Sequence, residues 1–396
     1  MGSGPMSHSD SAPRMLLTNE QRTCLGLAPV DPSWEWVRLK SVCKAPDFET
    51  WACFDGDTIR KYIHCAPDHY EERTYQEETA EDRTILLPRT VRGKPKKLSN
   101  VTLSDRKPLG MRLSWSGRAA AVDLWHGDTS RTYYSSGLET YAIRTLDELS
   151  AWLDRWVAET TPADRAALDQ FLQSKQRRVQ VREGDFFRFP IGRREYGYGR
   201  VLLDYYKMKK EGRPCWDILM CRPLVVKTYR FITEDPAVPP EKLRELPALP
   251  SHFMSDDGIF YGEHPIVGNL PLEPEELDFP IMYGGSISSL DQGRDKTLLQ
   301  CGTLFRVMEG TKPLPGWVSC YRNNGVTLAP ICISRSTLEA CIAAGSSGPF
   351  WERTKDWAMQ DLRSPFRRSD LEAVCAQFGL RSADLPVKLD ERRALC

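Results

Sequence analysis

The hydrophobic pattern of the chain changes its period along the sequence, and this change limits the possible folds more than any other feature. Residues 34–76 contain three segments in which apolar and polar side chains alternate: WEWVRLKSV, TWACFDGDTIRKYIHC and YEERTYQ. This alternation predicts antiparallel strands, and the Asp-Gly pair predicts a tight turn between two of them. Further strands are predicted in LSNVTLS, GMRLSWS, AAAVDLW and TYYSS, as far as residue 136.

Apolar residues then recur at helical spacing. Thr145-Leu146-Asp147-Glu148 is a capping box that predicts the start of one helix, and Thr161-Pro162-Ala163-Asp164 predicts the start of a second. We therefore expect an N-terminal α+β domain at residues 16–177, with antiparallel strands first and a helical pair last. Residues 1–15 are rich in Gly, Ser and Pro and are interpreted as a tag or disordered tail.

A second β-rich region follows. EGDFFRFPI and YGYGRVLLDYY predict a hairpin, WDILMC and PLVVKTYRFI continue the strand pattern, and IFYGEHPIVGNLPL predicts a strand pair. LLQCGTLFRVM and YRNNGVTLAP add further strands. Glycines at 184, 192, 197 and 199 suit bends or close backbone approach in a curled sheet. We therefore expect a small domain of SH3-like β-barrel type at residues 178–330.

The C-terminal residues have a helical pattern. Ser336-Thr337-Leu338-Glu339 and Ser369-Asp370-Leu371-Glu372 predict two helix starts, and PFWERTKDWAMQDL predicts a helix between them. We expect residues 331–396 to form a helical extension packed on the second domain. A chain of 396 residues supports more than one domain, because a single core stops growing at about 250–300 residues.

Composition restricts the class of partner. Lys plus Arg and Asp plus Glu are equal at 54 each, so the chain has no long-range attraction for nucleic acid or membrane surfaces. The 12 cysteines lie far apart, and the sequence contains no Cys-x-x-Cys and no apolar run long enough to cross a membrane. Free thiols in a reducing cytosol are therefore expected, and the expected location is cytoplasmic.

Candidate metal ligands are few. HCAPDH places His64, Cys65 and His69 close together, but no second cluster completes a site, so we expect no metal there. His64 and Cys65 would point to opposite faces of a strand. The two aspartates of FDGDT, residues 54–58, could bind a cation, although Asp-Gly in a turn explains them without a ligand.

Nucleophile and phosphate-binding motifs are incomplete. GGSIS, residues 284–288, lacks the full Gly-x-Ser-x-Gly pattern and its strand-turn-helix setting. The basic runs PRTVRGKPKK, residues 88–97, and KMKKEGR, residues 207–213, lack interleaved aromatics, so solvated loops explain them more simply than nucleic-acid binding. Both runs could instead contact an acidic protein partner. No catalytic or cofactor-binding residue is predicted.

One segment resembles a known family. EGDFFRFPIGRREYGYGRVLLD resembles the bacterial family called immunity protein twenty-six, also labelled with HocA-type phosphotriesterases, through Gly184-Asp185-Phe186 and Tyr196-Gly197-Tyr198-Gly199-Arg200-Val201. LTNEQRTCLGLAPV, CFDGDTIRK and TAEDRTILLPRTVRGKPKKL resemble the longer members, so the resemblance covers most of residues 17–330.

This resemblance implies a protective partner of a polymorphic toxin used in bacterial competition. The long two-domain form is similar to the antitoxin of an Rhs-type, type VI-secreted ADP-ribosyltransferase that attacks translation factors such as elongation factor Tu. It implies a non-enzymatic protein without cofactor or metal, a monomer that forms a one-to-one heterodimer with its cognate toxin domain. Within the hairpin turn we predict Arg193, Arg194 and Tyr196 as contacts, and in the acidic loop we predict Asp256 and Asp257 as weaker candidates.

Two other functions remain open from the sequence. A metal-dependent organophosphate hydrolase follows from the second family label, but a two-metal phosphotriesterase needs carboxylates and several clustered histidines, and the histidines here are scattered. A nucleic-acid-binding module could use the small barrel and the basic run at 88–97. Its binding would weaken steeply with salt.

Overall fold

The computed structural model describes residues 12–40, 48–136, 142–174, 178–213, 222–285, 295–317, 333–354 and 361–386. The chain divides into two compact units, Met1–Gln176 and Arg177–Cys396. Both units combine helices with antiparallel sheets, which confirms the α+β class.

An antiparallel sheet forms the frame of the first unit. Its strands are β1 (Glu35–Arg38), β2 (Glu49–Asp55), β3 (Thr58–Ala66), β4 (His69–Glu78), β7 (Leu109–Ser116), β8 (Ala121–His126) and β9 (Arg131–Ser135). The strands lie in this order across the sheet, and a small separate ladder joins β5 (Ile85–Leu86) to β6 (Lys96–Lys97). The predicted Asp-Gly turn is confirmed between β2 and β3, where Gly56 takes a φ of 61°.

Helices cover one face of this sheet. They are α1 (Asn19–Leu25), α3 (Leu146–Glu159) and α4 (Pro162–Gln173), and the capping boxes predicted at Thr145 and Thr161 are confirmed. Trp152 and Trp156 of α3 share a buried core with Trp115 of β7. The change from alternating to helical period therefore marks the change from the sheet to its helical layer.

One strand assignment is wrong, and one further helix lies in a segment for which no element was predicted. LSNVTLS, predicted as a strand, contains the helix α2 (Asn100–Ser104), because Ser99 Oγ accepts from the Thr102 amide at 3.2 Å and Thr102 Oγ1 accepts from the Ser99 amide at 2.9 Å. The helix α1 begins after a reciprocal box between Thr18 and Gln21 that the sequence analysis did not use. In both places a local side-chain cap determines the backbone conformation.

The second unit contains a five-stranded antiparallel sheet. Its strands are β10 (Asp185–Pro190), β11 (Tyr196–Asp204), β12 (Pro223–Thr228), β13 (His252–Ser255) and β14 (Ile266–Asn269), in the spatial order β13-β12-β11-β10-β14. The two edge strands, β13 and β14, do not pair, so the SH3-like barrel expected here is wrong. The helix α6 (Pro240–Arg244) packs against β14, and a Cβ atom at Gly268 would lie 2.3 Å from Cγ of Pro240. The helix α6 thus lies beside β14, at the edge where another strand would have to pair to close a barrel.

IFYGEHPIVGNLPL gives one strand instead of the predicted pair. Ile259 and Phe260 belong to the short helix α7 (Asp257–Phe260), and β14 pairs with β10. The hairpin of EGDFFRFPI with YGYGRVLLDYY is confirmed, although the second strand ends at Asp204 and the helix α5 (Tyr205–Lys210) follows.

A second sheet and the C-terminal helices complete this unit. The sheet contains β15 (Ile281–Gly285), β16 (Lys296–Cys301) and β17 (Leu304–Glu309), and LLQCGTLFRVM supplies the predicted strand pair β16–β17. The helices are α8 (Arg335–Ala343), α9 (Gly348–Arg353) and α10 (Leu371–Gln377). Leu338 of α8 shares a core with Phe187, and Val374 of α10 shares a second core with Leu202.

The predicted helix starts were displaced slightly. Ser334, not Ser336, caps α8 and accepts from the Thr337 amide at 3.2 Å, and Asp370 precedes α10 without a side-chain cap. Several predicted segments lie outside the described residues: WDILMC, YRNNGVTLAP, the end of GGSIS, most of the tail at 1–15, and residues 355–360 of PFWERTKDWAMQDL.

Candidate functional site

The β10–β11 hairpin carries the motif singled out in the sequence, and its glycines have a packing role. Gly197 pairs with Phe189 and Gly199 with Phe187 across the two strands. A Cβ at either glycine would lie 2.4 Å from the ring of its partner. Each phenylalanine ring therefore lies over the position where a side chain would otherwise stand, so the Tyr-Gly-Tyr-Gly pattern holds these rings flat on the sheet.

The hairpin aromatics are mostly core residues. Phe186, Phe187, Phe189 and Tyr198 are each at most 3% exposed. Phe186 and Tyr198 belong to one core cluster and Phe187 and Phe189 to another, so the hairpin has a buried layer on both faces. Tyr196, at the turn end of β11, is half-buried and remains the aromatic of this group with surface to offer a partner.

Arg200, the arginine of the same motif, is a buried ion-pair residue. Its guanidinium pairs with Glu276 and lies 4.4 Å above the ring centroid of Phe186. It also donates to the carbonyl oxygens of Leu270 and Pro271, at 2.8 and 3.0 Å. Arg200 therefore fastens the segment around residues 270–276 to the sheet and is not accessible to a partner.

Two further cations lie close to the Glu276 carboxylate. Lys227 Nζ lies 3.3 Å and Arg244 Nε 3.6 Å from its carboxylate oxygens. Burial alone would raise the pKa of Glu276, but a hydrogen bond from the Glu273 amide and the nearby cations hold it below its usual value. The carboxylate thus stays ionised and neutralises cations on two strands of the sheet.

The turn of the hairpin, residues 191–195, differs from its strands because it reaches the surface. Arg194 is exposed, whereas Arg193 is half-buried. Arg188 of β10 lies with its guanidinium 5.0 Å from the ring centroid of Tyr196 and donates to the carbonyl oxygen of Pro236 at 2.5 Å. Three of the predicted contact residues and one arginine that the sequence analysis missed therefore form one basic, aromatic surface, which we name the hairpin tip (residues 188 and 193–196).

The hairpin tip is tied to a distant helix. Arg335 of α8 pairs with Glu195 and lies 2.7 Å from Glu339. The hydrogen bond that Arg335 donates to the Glu195 carboxylate is the main cause that raises the pKa of Arg335, which therefore stays charged. The two glutamates share Arg335, and the tip residues themselves comprise three arginines, Arg188, Arg193 and Arg194, and one glutamate, Glu195. The surface is therefore basic overall, and the bridge to Arg335 could not be read from the sequence because its partners lie 140 residues apart.

Asp256 and Asp257 lie at the other end of the same sheet. Strand β11 spans nine residues from Tyr196 to Asp204, so the two ends are about 25 Å apart. Asp256 is 6% exposed, and burial raises the pKa of its carboxyl to about 6. Asp257 is exposed and accepts from Ser255 Oγ at 2.7 Å. The structure thus does not bring the two aspartates to the arginines of the tip.

The ligand candidates of the first unit have ordinary structural partners. The rings of His64 and His69 lie 5.4 Å apart, and His64 Nδ1 lies 2.9 Å from Thr50 Oγ1. Cys65 lies in the core under the helices, so it points away from His64 as predicted. In FDGDT, Asp55 accepts from Arg60 at 2.9 Å. Among the described residues, no group of three or more His, Cys, Asp or Glu is placed to hold a metal ion.

The cysteines of the described residues are buried thiols. Cys24, Cys53, Cys65, Cys301, Cys341 and Cys375 are free and buried, as expected for this part of the chain. Burial raises the pKa of Cys53, Cys65 and Cys375 to about 11, which keeps these thiols protonated and poorly nucleophilic at neutral pH.

Within the described ranges, every helix is too short or too polar to span a lipid bilayer. No curated protein and no solved structure matches the chain. The family model described as Immunity protein 26 matches residues 182–293, a range that begins just before β10 and includes all five strands of the β10–β14 sheet. The resemblance drawn from the motifs of this hairpin is therefore confirmed: residues 182–293 are similar to immunity protein 26.

Proposed function

We propose that this protein is an immunity protein that neutralises a cognate bacterial toxin domain by stoichiometric binding. The match of residues 182–293 to an immunity family supports the class of function.

The finer identity of the partner rests on the resemblance of the long two-domain form. It favours an Rhs-type, type VI-secreted toxin, and within that class an ADP-ribosyltransferase acting on elongation factor Tu. We propose one protein chain to one toxin domain, formed in the cytoplasm of the producing cell before the toxin is exported. Occlusion of the toxin by a folded partner requires no cofactor or metal.

The hairpin tip is the observation that supports a contact in the second unit. Arg and Tyr concentrate binding energy at interfaces, because a tyrosine offers a large rigid surface and an arginine offers a fork of donors. Arg188 stacks on the ring of Tyr196, so the Tyr196 side chain is already restrained before a partner binds. A restrained surface loses less conformational entropy on binding.

Calorimetric titration against the toxin domain encoded beside this gene tests the proposal. The combined change Arg193→Ala, Arg194→Ala and Tyr196→Ala is expected to weaken binding by about 2 kcal/mol or more if the tip is a hot spot. A matched control removes one tyrosine and two cations outside the tip and both basic runs, with Tyr206→Ala, Arg144→Ala and Arg165→Ala, all exposed in the structure. This control should bind like the unmodified chain.

Two results would count against the proposal. An unmodified chain that does not bind its genetic neighbour excludes the neutralising role. Unchanged affinity of the tip variant, with an unchanged melting temperature, moves the contact away from the hairpin tip.

A further inference from the structure

The loop between β5 and β6 in the first unit is a second protruding basic element, and its base is fixed. Leu86 of β5 is fully buried and pairs with Lys96 of β6. Just beyond the ladder, the Leu98 amide donates to the Thr84 carbonyl oxygen at 2.9 Å. The two ends of the loop are therefore hydrogen-bonded to each other and anchored in the core. We name residues 88–97 the basic loop.

The tip of the basic loop is a defined turn. The Thr90 amide donates to the Lys94 carbonyl oxygen at 3.1 Å, and the Lys94 amide donates to Thr90 Oγ1 at 3.0 Å. The Gly93 amide donates to the Thr90 carbonyl oxygen at 2.8 Å, and Gly93 takes a φ of 71°, a conformation that favours glycine. Side chains in this turn are thus presented in a fixed arrangement.

The cations of the basic loop are not neutralised within the described part of the chain. They are Arg89, Arg92, Lys94, Lys96 and Lys97, and none forms an ion pair with a described acidic residue. Arginines nearby behave differently: Arg83 pairs with Glu35 at 2.6 Å and Arg106 with Glu77 at 3.5 Å. The basic loop is therefore a local excess of positive charge on a chain that is neutral overall.

An apolar side chain stands among these charges. Val91 has a relative exposure of 108%, so its side chain is not packed against the described part of the chain. Burying an exposed valine removes apolar surface from water, which favours association. A partner with an apolar recess that covers Val91 gains this free energy, and acidic groups around that recess attract the cations beside the valine.

We propose that the basic loop is a docking element for an acidic protein surface that contains an apolar recess for Val91, and that this surface belongs to the toxin domain. The inference rests on the proposed function and adds a second contact to it, in the first unit. Two contacts carried by one chain raise the overall affinity beyond either contact alone, where the geometry allows both.

A protein fits this loop better than a nucleic acid does. Phosphates would pair with the cations, but a base-binding surface also uses aromatic side chains for stacking, and residues 88–97 contain none. A phosphate backbone also offers no recess for an isolated valine. The charge and the valine therefore point to the same kind of partner.

Association and dissociation rates on an immobilised toxin domain test the inference at two salt concentrations. The charge variant combines Arg89→Ala, Arg92→Ala and Lys94→Ala and should associate at least about ten-fold more slowly at low salt, with a smaller effect at high salt. Val91→Ser keeps every charge and should dissociate at least about ten-fold faster. The control removes three exposed cations that lie outside both basic runs and the hairpin tip, with Arg144→Ala, Arg165→Ala and Lys242→Ala, and should stay within about two-fold of the unmodified chain.

The outcomes separate the two proposals. If the unmodified chain does not bind the toxin domain, the proposed function fails and the inference fails with it. If the unmodified chain binds the toxin domain and both loop variants bind it as well as the unmodified chain does, the inference alone is wrong. A loss in the charge variant with no effect of Val91→Ser also overturns it. The inference is also overturned if the unmodified chain binds duplex DNA or phosphatidylserine vesicles and the charge variant loses that binding.

Discussion

The strands and the turn of the β10–β11 hairpin carry the same residue types in different surroundings. Arg200 on the strand is fully buried and paired with Glu276, whereas Arg194 in the turn is exposed. Phe187 and Phe189 on the strand lie against glycines, whereas Tyr196 at the turn stacks with Arg188. Most residues of the motif are therefore packing residues, whereas Tyr196 at its first position and Arg194 before it reach the surface.

The largest effect is expected from removing the charge that compensates Arg200. Glu276→Gln leaves Arg200 and Lys227 as buried cations without their carboxylate. Loss of one partner in a buried ion pair costs about 3–5 kcal/mol. Denaturant unfolding measures this cost, and Glu275→Gln, a change at an exposed neighbour, should stay within about 0.5 kcal/mol. Equal stability of both variants would mean that the buried cations do not depend on Glu276.

A smaller loss is expected from filling one of the glycine positions. In Gly199→Ala the new Cβ would lie 2.4 Å from the Phe187 ring, which must leave its position on the sheet. Overpacking of this kind costs typically about 1–3 kcal/mol, and we expect the upper half of that range. Thermal unfolding measures it. Gly212→Ala measures the cost of losing a glycine backbone conformation in the absence of a steric contact, because Gly212 has a positive φ and open space around it.

Acidification should lower the free energy of unfolding because His264 is buried in the same region. This histidine stacks near Phe187 and Phe189, and its burial lowers the pKa to about 4. The unfolded chain, with a pKa near 6.5, binds more protons between about pH 4 and 6.5. Stability is therefore complete above pH 6.5 and falls as the pH drops through this window, by about 2 kcal/mol between pH 7 and 5.

Unfolding free energies of the unmodified chain and of His264→Leu at both pH values check this prediction. The variant should show a smaller loss on acidification, even if it is less stable at pH 7. An identical pH slope in the two proteins would assign the acid sensitivity to other groups, such as His252, whose pKa burial also lowers to about 4.

The smallest change in stability is expected at the tip. Arg335→Ala removes the bridge to Glu195 and Glu339, two carboxylates that are 33% and 39% exposed. Solvent screens such pairs, so the loss of stability should be about 1 kcal/mol or less. Toxin binding should fall more than stability does, because the tip loses a restraint. Arg353→Ala, on α9, serves as the control in the same titration.

Local patterns explain which parts of this fold the sequence predicts. The β10–β11 hairpin and the helices after Thr145 and Thr161 follow from signals within a few residues of each other. LSNVTLS was misassigned because Thr102, in place of Glu or Gln, completes the capping box at Ser99. The open edge of the sheet depends on α6 packing beside β14, a contact between segments that no alternation of residues encodes.

The site was predicted in part for the same reason. Arg193, Arg194 and Tyr196 lie together because one short turn carries them. Asp256 and Asp257 were grouped with them by charge alone, but they lie at the far end of the strand and one of them is buried. Val91 was overlooked because the sequence shows a basic run and cannot show that the valine within it has no neighbours.

The bridge between Glu195 and Arg335 has a consequence for synthesis of the chain. The two residues are 140 positions apart, whereas the partners within the β10–β11 hairpin are joined by one short turn. A ribosome releases the hairpin long before it has made residue 335, so the tip is first produced without its anchor. An unfinished chain would thus offer the hairpin in a looser form than the finished one, and the tip would reach its final restrained form only late in translation.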